Sequence, residues 1–378
     1  MRFLPAIAWL ALVAGSTRLT AQDQLPDGLY AEFTTPPGVF IAELHYREAP
    51  LTVTNFVGLT EGTLGPKAAQ PWYTGLKWYR VVPGFVIQSG NPKAPEDADP
   101  GYSFPDEFDP GLRHGETGIL SMANGGPDTN SAEDFVTLGD CTRLNYLHSV
   151  FGRVVRGRDV LPRIKANDAF SIKVLRVGAR AQAFRADIDA FQALAAKARK
   201  YSGATEPGPA AHFADPDKLL PVDPPRAQNF NYKLANLERF TGVKIVARMF
   251  SQSPTAEEDK VPGAYMRALA EKLGVAQSGV LAAYFADEKD WRVWIGDDLT
   301  ATFLGRPATP ADLADGAALH EAKEAFFAAA TKQAAVYTVQ ARASRGPDRP
   351  LLPADLVKYS TDAILDALLL RFEPARTP

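Results

Sequence analysis

Along the first half of the chain, short runs in which apolar and polar residues alternate are set apart by Gly and Pro, the pattern of half-buried strands. Such runs cover Gly38 to Leu44, Trp78 to Val82, Val86 to Ser89, Gly118 to Met122, Phe135 to Leu138 and Val150 to Val155. Val53 to Leu59 reads differently, as the start of a helix after Pro50. Proline suits that place because its missing N–H is one a helix start leaves unbonded anyway.

The second half has another rhythm. Asp187 to Lys200 carries Ala, Phe, Leu and Lys at helical spacing, and Ser202-Gly203 followed by Pro207 ends it. Gly203 to Pro209, then Pro216, Pro221, Pro224 and Pro225, predict a semi-rigid linker and a domain boundary. Beyond it, Lys233 to Arg239 reads as a helix, Val243 to Phe250 as a strand, and Tyr265 to Leu273 as a helix ended by Gly274. Two strands follow at Val280 to Ala286 and Trp291 to Ile295, then a long Ala-rich helix from Gly316 to Ala343. This alternation predicts a small α/β domain over 226–345, after a helix and linker at 179–225 and before a helical tail at 346–378.

With 378 residues, 46% of them hydrophobic, the chain is long enough to bury more than one core. A formal net charge of -3 with interspersed signs gives no footprint for nucleic acid. Residues 1–21 read as an export signal: Arg2 supplies the positive start, Ile7 to Val13 the apolar run, and Leu19-Thr20-Ala21 a small-residue cleavage site before Gln22. That run is too short to span a bilayer, and no later one approaches ~18 apolar residues, so stable membrane insertion is not expected. Cys141 is the only cysteine, which rules out an intramolecular disulfide. The expected location is the periplasm, with the medium as the second choice.

The candidate chemistry lies in three segments. The first is Trp78-Tyr79-Arg80-Val81-Val82-Pro83-Gly84-Phe85-Val86-Ile87-Gln88-Ser89-Gly90. It sets one cation and one amide beside bulky apolar groups on an extended segment broken by Pro83-Gly84. The second is Gly118-Ile119-Leu120-Ser121-Met122-Ala123-Asn124-Gly125-Gly126-Pro127-Asp128-Thr129-Asn130, followed by Glu133-Asp134-Phe135-Val136-Thr137. The third runs from Leu144 to His148-Ser149-Val150-Phe151-Gly152. In this order and spacing, residues 28–178 resemble a cyclophilin, a peptidyl-prolyl cis-trans isomerase. The resemblance implies a closed antiparallel eight-stranded β-barrel with two capping helices, and substrates that are X-Pro-containing polypeptides.

Isomerisation opposes amide resonance, a barrier of ~18 to 20 kcal/mol, but breaks no bond and needs no metal or organic cofactor. Twisting the C–N bond frees a lone pair on the prolyl nitrogen, and a guanidinium that stays charged can meet it. The resemblance gives that role to Arg80. It makes Phe85, Val86, Phe135 and Leu144 the apolar slot for the proline ring, closed on one side by His148. The main chain of Asn124, with Gln88 nearby, would hold the substrate backbone, and Ala123 would keep a neighbouring subsite open. The groove is expected to lie open to a passing chain.

Two departures stand out. Glu133 and Asp134 occupy positions where cyclophilins usually carry Gln and Phe. An ionised Glu133 cannot donate to a substrate carbonyl, but it can pair with and orient Arg80. Arg143 stands where cyclosporin-sensitive members commonly have Trp, so weak cyclosporin binding is expected. The rival reading is a non-catalytic proline-peptide-binding module or chaperone of the cell envelope.

In the second half, Leu237 to Val243, Gly274 to Leu281 and Arg292 to Leu299 resemble a TPM domain. Some members of that family are reported as phosphatases or metal binders. Gln277 and Ser278 stand where the family often has an acidic residue and Asn, which speaks against both activities here. Glu96, Asp97 and Asp99 lack ordered ligand spacing and read as a solvated turn, while Asp287, Glu288 and Asp290 at a hairpin-like bend and Asp297-Asp298 after a strand are a minor candidate for a cation site. The expected role of this domain is a tether to an envelope partner.

Overall fold

A computed structural model describes residues 25–65, 69–91, 100–223, 225–313, 316–346 and 348–374. The export signal and the acidic stretch at 96–99 lie outside them. In the first unit, eight strands form one antiparallel sheet: β1 (Gly28–Thr35), β2 (Gly38–Leu44), β3 (Arg80–Val82), β4 (Val86–Ser89), β5 (Ile119–Met122), β6 (Asp134–Thr137), β7 (Val150–Arg156) and β8 (Ser171–Val177). Their order is β3-β4-β6-β5-β7-β2-β1-β8. The sequence reading lacks β1 and β8. In β1, Leu29, Ala31 and Phe33 enter the main core, while Tyr30 packs with Leu25, Ile41 and Leu175 on the other face. Covering both faces removes the alternation that marks a half-buried strand.

The expected closed barrel is not formed. The end strands β3 and β8 share no ladder, and the segments leading into them meet in an isolated bridge, Lys77 to Ala169. Beside it, the Trp78 N–H donates to the Asp168 carbonyl at 3.0 Å and the Asn167 N–H to the Trp78 carbonyl at 2.8 Å. β3 is too short to extend the ladder, because Pro83 and Gly84, the latter at φ 69°, turn the chain straight into β4.

The core is aromatic: Phe33 stacks on Phe40 at 4.6 Å, and Trp78 lies 4.6 Å from Phe170. α1 (Pro50–Glu61) caps it, burying Leu51, Val53, Phe56, Val57 and Leu59 and ending at Gly62. The second expected cap is a 3-10 turn at Arg158–Arg163, where Pro162 lacks the N–H an α-helix would use. After the short α2 (Ala179–Gln182), α3 (Ile188–Ala195) adds Phe191 to the same core.

The second unit is a mixed four-stranded sheet, β12-β11-β10-β9 in order. β9 (Phe213–Ala214), β10 (Lys244–Phe250) and β11 (Gly279–Phe285) run parallel, and β12 (Asp290–Ile295) is antiparallel to β11. Ile245, Ala247, Met249, Val280 and Ala282 face α4 (Arg226–Thr241), α6 (Asp297–Leu304), α7 (Ala317–Arg345) and α8 (Pro353–Phe372). Val246, Leu281, Ala283 and Phe285 face α5 (Ala264–Lys272) instead. β9 and Leu220, from the proline-rich segment, belong to this unit, and so does α8, whose Leu365, Leu368 and Leu369 are in its core.

The two units are packed against each other. Tyr146, at φ 59°, leaves the first unit and is buried in the core of the second. Its hydroxyl donates to Glu373 at 2.7 Å, and its carbonyl accepts from Asn236 Nδ2 at 3.0 Å. Arg239 of α4 pairs with Asp128 at 2.8 Å, and Arg113 pairs with Glu373.

Candidate active site

Cross-strand pairing places the candidate side chains on one face of the sheet. Arg80 lies opposite Gln88, and Gln88 opposite Phe135. Opposed residues of an antiparallel pair share a face, so Arg80, Val86, Gln88 and Phe135 line one surface while Ile87 and Val136 enter the core. Val86 itself is buried, and Arg80 is exposed.

Arg80 is oriented by a relay. Its guanidinium donates to Gln88 Oε1 at 3.0 Å, and Gln88 Nε2 donates to Glu133 Oε2 at 3.3 Å. Tyr79 holds the other Glu133 oxygen at 3.1 Å. Glu133 therefore acts on Arg80 through Gln88, not through the direct pairing read from the sequence. The same guanidinium lies 5.7 Å from the Phe85 ring. The Phe85 carbonyl accepts the Leu138 N–H at 2.7 Å and the Cys141 thiol at 3.4 Å, which fixes the loop after β3. Burial pushes the Cys141 thiol up to about 12, so this cysteine is a packing group and not a nucleophile.

Phe135 forms the floor. His148 meets its ring edge-on at 5.5 Å, and His114, which the sequence reading leaves unassigned, lies nearly parallel to it at 5.9 Å. His148 Nδ1 donates to the Met122 carbonyl at 3.0 Å, leaving Nε2 as the unprotonated nitrogen of the neutral ring. Burial depresses His148 to about 4 and His114 to about 3, so both are neutral near pH 7. His114 bridges Asn145 Oδ1 and Ser121 Oγ at 2.9 Å each. No spacing rule could reveal it, because its place behind Phe135 depends on packing.

Leu144 ends the 3-10 turn Thr142–Leu144 beside this floor. Asn124 Nδ2 donates to the Leu147 carbonyl at 2.9 Å, which ties its loop down, and the main-chain N–H and C=O of Asn124 have no partner among the described residues. Ala123 is half-buried next to it, its N–H donating to the Glu133 carbonyl at 3.0 Å. All the sequence-derived residues thus converge on one surface. Asp134 points the other way. It is buried in the core with Oδ2 unpartnered, and burial, reinforced by the Glu133 charge, raises it to about 7.

The groove is partly covered. α4 and α8 lie over it, and a partly open cavity of about 270 Å³ lies between Arg80, Phe85 and Leu144 on one side and Arg226, Asn229 and Lys358 on the other. Arg143 crosses the boundary. It stacks 4.6 Å from Phe85 and 5.8 Å from Tyr337 and donates to Gln340 Oε1 at 3.1 Å. A second cavity of about 230 Å³, with Asn124 and His148 on one side and Gln228 and Tyr232 on the other, adjoins the first at Leu147 and Asn229.

Several known proteins are similar to the first unit. A family model described as cyclophilin type peptidyl-prolyl cis-trans isomerase/CLD matches residues 30–178. The Mycobacterium tuberculosis peptidyl-prolyl cis-trans isomerase A is 43% identical over 116 residues, which are 28% of this chain and 63% of that protein. The probable isomerase A of Mycobacterium leprae is 40% identical over 133 residues, 33% of this chain and 72% of that protein. The mouse peptidyl-prolyl cis-trans isomerase-like 1 is 37% identical over 142 residues, 37% and 80% of the two chains. A crystal structure of a Cryptosporidium parvum cyclophilin type isomerase aligns with 26% identity and a TM-score of 0.34, covering 40% of this chain and 98% of that one. The chain belongs to the cyclophilin type peptidyl-prolyl cis-trans isomerase family, and spans just under two thirds of the length of its mycobacterial isomerase A relatives from M. tuberculosis.

Proposed function

We propose that the first unit catalyses rotation about X-Pro bonds. The observation that carries this reading is the Arg80 guanidinium, fixed by Gln88 beside a slot built from Phe85, Phe135, Leu144 and His148. In the planar amide the prolyl nitrogen offers no lone pair. As the bond twists, the lone pair forms and Arg80 donates to it, an interaction absent from both ground states and therefore one that lowers the barrier. The slot grips the ring by apolar burial, at ~25 cal/mol per Å², while Asn124 holds the backbone on one side. His148, neutral near pH 7, packs and orients, and no proton transfer is required.

The test is a protease-coupled isomerisation assay on an Ala-Pro peptide. Arg80→Ala should lower kcat/KM about 100-fold, the scale of one lost transition-state donor, with little change in peptide affinity. Equal rates for the two proteins would remove the catalytic role. The rival reading, a proline-peptide-binding module or chaperone, draws support from the roofed groove and from Glu133, and it expects binding without turnover.

The substrates of this reading are exported proteins, and the chain acts in the periplasm or the medium after removal of residues 1–21. Arg2, the apolar run from Ile7 to Val13 and the Leu19-Thr20-Ala21 site support this, and N-terminal sequencing of the secreted protein would test it. The second unit is a TPM-like tether for an envelope protein, a reading supported by its mixed sheet with helices on both faces.

A further inference from the structure

The cavity over Phe85 has an unbalanced lining: Arg80, Arg143, Arg226 and Lys358 against the single carboxylate of Asp362. Asp362 is taken by Lys358, its neighbour one turn back on α8. Arg80 and Arg143 each bond a neutral amide, Gln88 and Gln340. Glu133, behind Gln88, is held by Gln88 and Tyr79.

Arg226 is the most telling of the four. It is the first residue of α4, where the helix dipole already presents positive charge, and that turn carries no acidic residue. Its guanidinium has no ion-pair partner among the described residues. A cation in that place works against its helix, so stability does not explain it, whereas a ligand carboxylate in the cavity would.

Resting on the isomerase reading, we infer that the second unit supplies the specificity half of the site. Arg226, with Arg143, selects X-Pro segments that carry a Glu or Asp next to the proline. With the ring seated on Phe135, the flank lying on the Arg80 side enters this cavity, and its carboxylate meets the guanidinium groups of Arg226 and Arg143, one from each unit. The other flank follows Asn124 toward the cavity bordered by Gln228 and Tyr232.

The test uses the full chain and two pairs of X-Pro peptides, Glu against its isostere Gln, placed either before or after the proline. Isomerisation and calorimetric binding are both measured, in low and high salt. At one of the two positions, Glu should exceed Gln by about 10-fold in kcat/KM at low salt, and the ratio should shrink as salt screens the charges. Arg226→Gln should cut that ratio several-fold; because the change relieves an unfavourable helix-end charge, folding is not the expected casualty. Equal handling of Glu and Gln at both positions would overturn the inference. So would an Arg226→Gln variant that turns over both peptides faster, since the roof would then be a block and not a selector. If no peptide is isomerised but Glu still binds better than Gln, the selectivity stands and the isomerase reading falls.

Discussion

The two walls of the cavity are built in opposite ways. The wall from the first unit rests on short-range order: Arg80 faces Gln88 across one hairpin, and Phe135 faces Gln88 across the next strand pair. The wall from the second unit rests on contacts between residues far apart in the chain. α8 is held in place by Lys233 of α4 and Tyr337 of α7, both bonded to the buried Asp366, the hydroxyl at 2.7 Å. A local wall can be read from spacing, and an assembled one cannot.

The largest expected effect breaks the assembled wall alone. Asp366→Ala leaves the fully buried Lys233 ammonium without its counter-ion and should cost roughly 3–5 kcal/mol of stability in urea unfolding. The loss should fall on the second unit while the first keeps its fold; a variant as stable as the parent would show that the pair does not hold the wall.

This contrast explains what was legible in the sequence. Arg80, Phe85, Val86 and Gln88 from the run Trp78 to Gly90, the Ala123-Asn124 pair, Phe135, Leu144 and His148 meet on one surface, and for the strand residues this follows from alternation on a sheet. The strands at Val243 to Phe250 and Trp291 to Ile295 and the long helix were also legible, from strong periodicity. The partial cover over the groove was not, because Arg143 reaches Gln340 across 197 positions and no local pattern encodes that meeting. Nor was the missing β3–β8 ladder, which depends on how far a three-residue strand can reach.

Asp134 gives the next effect, on the local wall. Its carboxyl stays protonated in the folded protein up to about 7, while the unfolded chain ionises near 3.8. The folded state thus binds more protons between those values, so this group removes stability as pH rises from about 4 to 7, and the loss is complete above 7. Asp134→Asn should therefore be more stable than the parent by roughly 3–4 kcal/mol at pH 8 and nearly equal to it at pH 4. Equal differences at both pH values would contradict the burial of this charge.

Arg143→Ala should have a smaller effect, about 1–2 kcal/mol, from the lost ring contacts and the bond to Gln340. Hydrogen exchange should then rise along α7 near Tyr337 while β4 and β6 stay protected. The smallest signal concerns cyclosporin. With Arg143 in place of an indole and α8 above the slot, direct titration should give a dissociation constant above 1 µM, of order −8 kcal/mol or weaker; sub-micromolar binding would mean that the roof lifts readily.

The most direct test of a site shared between the units is an NMR titration of the full chain with an X-Pro peptide. Resonances of Phe85, Phe135 and His148 should shift together with those of Arg226, Asn229 and Lys358, all following one binding curve. Shifts confined to the first unit, or a second unit that swings clear as the peptide binds, would contradict it.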